Sequence, residues 1–287
     1  MTTIRCAFLA ALGLLGACAG GSTAPADASQ GRLGLQLYSL RDLFKSDGVD
    51  TGLDRTKALG FEVVELAGTY NLSAAEFAAK LKSRGLKPVS GHFPWDRWKK
   101  EPEAVAAEAK ALGLEYAGCA WAGHTAPFDE KQAREVIEVF RKAGEATAKV
   151  GVRYFYHFHG FEFRKHGDGT LADLIIRETD PTLVAFEMDV LWTWLPNVDP
   201  VALIKKYPGR FKLMHIKDMK PGLPRGSLAG GIPEEQKAVI GQGQVNWADV
   251  MEAAEADGFE YYYIEDESPD PVNNVPQSIT YLERLEY

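Results

Sequence analysis

From residue 33 onward the chain alternates between two patterns of apolar positions. Short runs of apolar, β-branched and aromatic residues occur at 33–39, 62–66, 89–93, 116–121, 153–159, 184–188, 211–216 and 261–265, and each reads as a strand. The stretches between them carry helix signals. Ser73-Ala74-Ala75-Glu76 is a capping box that opens a helix with Phe77 and Leu81 on one face, closed by Gly85. The stretch 103–112 ends at Gly113, and the long stretch 129–150 ends at Gly151. Asp199-Pro200 supplies an N-cap followed by a proline in the first turn. Asn246 is placed to cap 247–257, which stops at Gly258, and 276–286 predicts a last helix.

Strands that alternate with helices imply parallel pairing through crossovers. Eight such units in roughly 250 residues match a closed (β/α)8 TIM barrel, a single α/β domain over 33–287. An open doubly wound sheet would bring a glycine-rich first turn, and Leu40-Arg41-Asp42 offers none.

The first residues follow another logic. Arg5 precedes an apolar run, 7–15, that is too short to span a bilayer. The run ends in Leu15-Gly16-Ala17-Cys18, which resembles a bacterial lipobox. Residues 1–17 are therefore expected to be a lipoprotein signal peptide, and 18–32, small and polar, a flexible tether. The predicted location is exported, with lipid on Cys18 anchoring the chain at the periplasmic or outer membrane face. The net charge is −8, and basic pairs such as Lys99-Lys100 and Lys205-Lys206 are not extended into a stripe. That argues against nucleic acid as a partner. Cys6 leaves with the signal and Cys18 is used by the anchor, so Cys119 remains without a disulfide partner.

The active site of such a barrel lies at the C-terminal ends of its strands. Polar residues gather there. Strand three ends in Gly91-His92-Phe93, strand five runs Tyr156-His157-Phe158-His159-Gly160-Phe161-Glu162-Phe163, and strand six ends in Glu187-Met188-Asp189, with Trp192 beyond. Strand seven ends in His215-Ile216-Lys217-Asp218 and strand eight in Glu265-Asp266-Glu267. Carboxylates that follow directly on buried strands are costly unless paired or bound to metal. Mixed histidine and carboxylate donors suit Mn, Zn, Co or Fe better than Ca. Alternation places His157 and His159 on one face, and His215 and Lys217 on one face. Lys217 is a candidate acid/base, with an ion pair to Asp189 or Asp218 as the plainer role. Trp192, Trp95 and Trp121 are candidates for an apolar wall. The Gly/Pro-rich stretch 219–244 has the length of a lid, and Arg225 within it could reach a ligand.

This order of residues resembles the sugar phosphate isomerase/epimerase superfamily, the xylose isomerase-like barrels, over about residues 33 to 287. Tyr156 to Phe163 is similar to the Tyr-His-Asn-His-x-x-Glu-Phe pattern of one branch. The resemblance implies one divalent metal ion (Mn, Zn, Co, Mg or Fe) held by Asp189, His215, Glu265 and a donor from strand five. The strand-five position that normally holds Glu is His157 here, so either His157 or Glu162 completes the set. Glu162 would preserve the family's charge balance and is taken as the metal ligand, with His157 and Lys217 as catalytic groups. His92, His159, Trp192 and Arg225 are taken as substrate-binding. The implied activity is proton abstraction next to the carbonyl of a sugar, keto-sugar or keto-glycoside, leading to isomerisation, epimerisation or β-elimination. The expected partner is a small-molecule carbohydrate, with the membrane met only through the lipid anchor. Two other readings remain: a non-catalytic carbohydrate-binding lipoprotein, and a metal-dependent phosphodiesterase on the same fold.

Overall fold

The structure, a computed structural model, describes residues 32–287. The signal segment, Cys18 and the tether before Arg32 lie outside the described residues. Arg32 itself belongs to the folded body. Its guanidinium pairs with Glu255 at 2.7 Å and donates to the Phe259 carbonyl at 2.9 Å.

All of the predicted strands form. They are β1 (Leu33–Gln36), β2 (Val63–Leu66), β3 (Lys87–His92), β4 (Tyr116–Cys119), β5 (Arg153–His157), β6 (Val184–Asp189), β7 (Phe211–Ile216) and β8 (Tyr261–Ile264). They pair in parallel around a closed barrel in which β1 joins β2 on one side and β8 on the other. A helix follows each strand: α1 (Arg41–Ala58), α2 (Ala74–Ser83), α3 (Pro102–Leu112), α4 (Glu130–Ala148), α5 (Leu171–Glu178), α6 (Pro200–Lys206), α7 (Trp247–Asp257) and α8 (Pro271–Arg284). Short extra helices, Trp95–Lys100 and Val190–Trp194, precede α3 and α6.

The local signals act as their chemistry requires. Ser73 and Glu76 form the reciprocal capping box of α2, and Asp199 accepts the first amides of α6. Gly113 and Gly258 adopt left-handed conformations, φ 79° and 80°, that end α3 and α7. Two details depart from expectation. Asn246 stands at the N-cap of α7 but spends its amide on Asp249 at 2.7 Å. The last helix begins at Pro271 and carries Pro276 inside it. A proline there has no N–H for the carbonyl of Val272, and Arg55 donates to that oxygen at 3.5 Å instead.

Side chains alternate along each strand, so every second residue faces the barrel interior. Val63, Val89, Tyr116, Phe155, Ala185, Leu213 and Tyr263 pack an apolar layer there. Their neighbours, among them Tyr154, Tyr156, Phe186, Met188, Met214 and Ile216, face outward into the larger core under the helices. Two residues further along the same inward face come Glu65, His157, Glu187, His215 and Glu265, so the interior turns from apolar to polar in one step. A bulge adjusts β3. Val64 pairs with Pro88 but Glu65 with Ser90, which leaves Val89 extra. Val89 and Ser90 thus both serve the interior: Val89 in the apolar layer, Ser90 with its hydroxyl on Glu65.

Candidate metal centre and active-site cavity

Glu65, which begins the polar half, is fully buried. Its Oε1 accepts from Gln36 Nε2 at 2.6 Å and its Oε2 from Ser90 Oγ at 2.5 Å. His215 Nε2 lies 2.5 Å from the same Oε1 and 3.2 Å from Glu187 Oε2. His92 Nε2 lies 3.0 Å from Glu187 Oε2. These carboxylates take the Nε2 edge of His215, so Nδ1 is the nitrogen that would bind a metal.

Nδ1 faces the other donors. It lies 2.8 Å from Glu265 Oε2 and 3.7 Å from Asp189 Oδ2, and His157 Nε2 lies 3.4 Å from that same Asp189 oxygen. Asp189 Oδ1 accepts from the Trp192 amide at 2.9 Å, which caps the helix Val190–Trp194 and leaves Oδ2 to the site. His157 Nε2, Asp189 Oδ2, His215 Nδ1 and Glu265 Oε2 are all buried, and none makes a well-directed hydrogen bond among the described residues, the two oxygens meeting the Lys217 ammonium only as ion pairs. Buried polar atoms are rarely left so. Ligand atoms around one tetrahedral ion with bonds of ~2.0–2.2 Å stand roughly 3.3–3.6 Å apart, close to the spacing seen here. The donor set therefore fits a divalent ion. His157, Asp189 and His215 form one group able to hold such an ion, and Glu65, His92, Glu187 and His215 form another. The second is already cross-linked by the histidine–carboxylate contacts above, so the first is the open one.

Positive charge is already drawn to these oxygens. Lys217 Nζ lies 3.0 Å from Asp189 Oδ2, 2.7 Å from Glu265 Oε2 and 2.5 Å from Glu267 Oε1. Lys237, from the segment after β7, closes on the other oxygen of Glu267. Both ammonium groups lie against the Trp192 ring, 5.2 and 5.3 Å from its centre. Asp218 turns away and binds the amides of Met219 and Gln244 and the Trp247 indole. The ion pair expected of Lys217 is thus made with Asp189.

Titration follows from these neighbours. Burial works against charge on His215, but Glu187, Glu265 and Glu65 outweigh it and raise its pKa well above the usual histidine range. Burial and the nearby His157 hold His159 well below that range. Burial and His215 lower His157. Burial opposes the Asp189 carboxylate, yet Lys217 and the two histidines keep it well below the usual range.

A cavity of about 320 Å³ opens above the donors. His92, His157, His159, Trp192, Lys217 and Glu265 line it, as do Tyr38, Trp121 and Gly230. A larger groove of about 700 Å³ between α6 and α7 lies outside the barrel, and none of the open donor set lines it. The stretch 219–244 crosses the mouth. Asp218–Met219 pairs with Lys237–Ala238, and Glu234 closes on Arg41.

Two predicted residues stand elsewhere. Glu162 does not join the donors. Its Oε1 accepts from the Tyr156 hydroxyl at 2.5 Å and its Oε2 from the His159 amide at 3.0 Å. Tyr156 points outward from β5, so Glu162 lies on the opposite side of the strand from His157 and braces the loop that carries His159. His157 is the strand-five residue that stands with the donors. Arg225 turns from the cavity as well: its guanidinium stacks 3.6 Å from the Trp194 ring centre and donates to the Trp194 carbonyl at 2.8 Å. Glu65, Gln36, Ser90 and Lys237 were not anticipated. A lone acid within Val63-Val64-Glu65-Leu66 was the available sign for Glu65. Nothing local marks Lys237, which comes from a distant segment.

Residues 53–285 match the family described as Xylose isomerase-like TIM barrel, and the chain belongs to that family. Among curated proteins it is similar to an inosose dehydratase of Clostridium botulinum, 22% identical over 260 residues that cover 80% of this chain and 85% of the relative. An inosose dehydratase of Lacticaseibacillus casei is 23% identical over 263 residues, covering 82% and 87%. Among solved structures, a sugar phosphate isomerase/epimerase from Parabacteroides distasonis superposes with a TM-score of 0.74 at 26% identity, covering 92% of this chain and 98% of that one. The structure of IOLI protein with a bound zinc atom shares the fold, with a TM-score of 0.65 at 15% identity and coverage of 88% and 96%.

Proposed function

We propose that this chain is a metal-dependent enzyme that removes a proton beside the carbonyl of a neutral keto-sugar or keto-polyol and then expels an oxygen from the β position. The observation that carries this reading is the convergence of buried donor atoms of His157, Asp189, His215 and Glu265 beneath the cavity. The resemblance to inosose dehydratases and to a zinc-binding barrel supports it. Asp189, His215, Glu265 and His157 would hold the ion, which when bound supplies a Lewis acid for the negative charge that develops as the proton leaves. Glu65 orients His215 for that task. His159 lines the cavity, its buried Nδ1 makes no hydrogen bond among the described residues, and it is the candidate to accept the carbon-bound proton. Lys217, held by its carboxylates, is placed to give a proton to the departing hydroxyl. The carbon–hydrogen and carbon–oxygen bonds break, a carbon–carbon double bond forms, and the hydroxyl leaves as water. If the proton returns to carbon instead, the same first step gives isomerisation or epimerisation. The segment Leu15-Gly16-Ala17-Cys18 supports export and lipid anchoring, and with it free sugars or glycosides as substrates.

The test is incubation of inosose and of 3-keto-glucosides with the purified chain in deuterated water, before and after chelation. Metal-dependent deuterium uptake at the carbon beside the ketone, or metal-dependent elimination, is the expected result. A chain carrying about one divalent ion that does neither on any of these compounds would overturn the reading.

A further inference from the structure

Among the described residues, the exposed large hydrophobic side chains are Tyr38, Trp121 and Leu228, at 45%, 44% and 36% exposure. All of them stand around one opening. Tyr38 and Trp121 line the cavity, as does Gly230, and Leu228 precedes Gly230 by two residues on the segment that crosses the mouth. That segment rests on the neighbouring loops without side chains in between. A side chain at Gly160 would strike the backbone of Ala229, and one at Gly230 would strike the Trp121 ring.

Both rings have neighbours within the rim. The Trp121 indole stacks on His124 at 5.3 Å and meets Phe161 at 4.8 Å and His159 at 5.0 Å. His124 is itself fixed by its contact with the Ala122 carbonyl at 2.9 Å. Arg41 lies 4.9 Å from the Tyr38 ring centre, and the Tyr38 amide donates to Gln36 at 3.0 Å. Aromatic surface already packed against neighbours loses less entropy when a ligand covers it than a free side chain would.

Below the rim, buried nitrogens await partners. His159 is 9% exposed and Trp192 is 2% exposed; both line the cavity, and His159 Nδ1 and Trp192 Nε1 have no hydrogen-bond partner among the described residues. Lys217 is the one lysine or arginine among the cavity-lining residues, and its charge is matched by Asp189, Glu265 and Glu267. A phosphate would find no free cation there. The volume of about 320 Å³ lies at the small end of the roughly 300–1,000 Å³ typical of ligand pockets. A single sugar ring fits inside it, and a second ring linked to the first at the opening would meet Trp121 and Tyr38.

We infer that the rim formed by Trp121 and Tyr38 is a second carbohydrate subsite, so that the ligand is a neutral glycoside with one ring in the cavity and the next stacked on these aromatics. A pyranose has the required duality: its C–H face covers an aromatic ring while its hydroxyls reach His159 and Trp192. The inference rests on the carbohydrate reading above, and its test separates the two. The purified full chain is titrated calorimetrically with glucose, methyl glucoside, glucose 1-phosphate and the disaccharides cellobiose, maltose, sucrose and trehalose. At least one disaccharide should bind roughly tenfold more tightly than methyl glucoside, the size of gain that one aromatic stacking contact provides. That gap should shrink to less than about threefold in Trp121→Ala and be largely restored in Trp121→Phe, because the ring rather than the indole N–H supplies it. Equal binding of monosaccharide and disaccharides, or a gap that survives Trp121→Ala, overturns the subsite and leaves the carbohydrate reading standing. Tighter binding of glucose 1-phosphate than of methyl glucoside overturns the neutral ligand. No binding of any of these sugars overturns the subsite, while the carbohydrate reading stands or falls with deuterium exchange on the keto-sugars.

Discussion

The two halves of the barrel interior come from the same strands and answer opposite demands. On β7, Leu213 belongs to the apolar half, and His215, the next inward residue, belongs to the polar half. On β6 the same step runs from Ala185 to Glu187, and on β5 from Phe155 to His157. The apolar half gains from leaving water and asks nothing of its neighbours beyond fit. The polar half buries carboxylates and imidazoles, leaves several of their atoms unbonded, and is held by the fold around it. The difference teaches that in this molecule stability and chemistry are stacked along one axis, a single inward residue apart.

The comparison breaks most sharply at Asp189. Asp189→Asn keeps the Oδ1 that caps Val190–Trp194 but weakens the open donor set. Metal bound per chain, measured by mass spectrometry, should fall from about one to near zero, as expected of a small coordination shell that loses a carboxylate. The melting temperature in chelator should fall, because the buried Lys217 ammonium loses a counter-charge. Undiminished metal would remove Asp189 from the site. The mirror experiment is Leu213→Ala. A buried leucine lost from a packed layer costs about 2–5 kcal/mol, so denaturant unfolding should shift by that amount while metal stoichiometry persists. Loss of metal together with stability would mean that the halves are not separable. Glu65→Gln probes the boundary between them. It leaves the open donors in place but alters the contact that orients His215, so metal affinity should weaken about 10–100-fold without being abolished. An unaltered dissociation constant would show that Glu65 is only a packing partner.

The smallest effect is expected from Glu162, on the outward side of β5. Burial pushes its carboxyl up to about 8, against the pull of the Tyr156 hydroxyl and the His159 amide. A carboxyl raised above its ordinary value, 4.5, adds stability that is fully present below that value and is lost as pH climbs through about 8. The melting temperature of the native chain should therefore decline between about pH 5 and 9 by a component that Glu162→Gln lacks. Parallel pH profiles for the two proteins would show that Glu162 does not titrate there.

How much of this was legible in the sequence depended on the range of the signal. The strands and caps are local: apolar runs, Ser73 with Glu76, Asp199 with Pro200. Each sits where its residues predict. Strand ends converging on one mouth gathered the polar residues, and the family resemblance singled out Asp189, His215 and Glu265 among them. Glu162 did not yield to that logic, because distance along the chain says nothing about which side of a strand a residue takes after the strand has ended. Its partner Tyr156 faces outward by simple alternation, and that was the clue to its side. Lys237 and Arg225 both come from the segment after β7, whose path is set by contacts with Glu267, Arg41 and Trp194 rather than by periodicity. The bulge at Val89, which lets Ser90 reach Glu65, is a matter of register between neighbouring strands, and register is not written in either strand alone.

The Tyr156 hydroxyl joins more than one loop. It receives the Ala122 amide at 3.3 Å and donates to Glu162, which in turn receives the His159 amide. The loop that follows β4 and the loop that follows β5 are therefore tied behind the barrel wall at a single oxygen. Trp121 belongs to the first loop and His159 to the second. An insertion in one would drag the other, so the two would have to lengthen or shorten together.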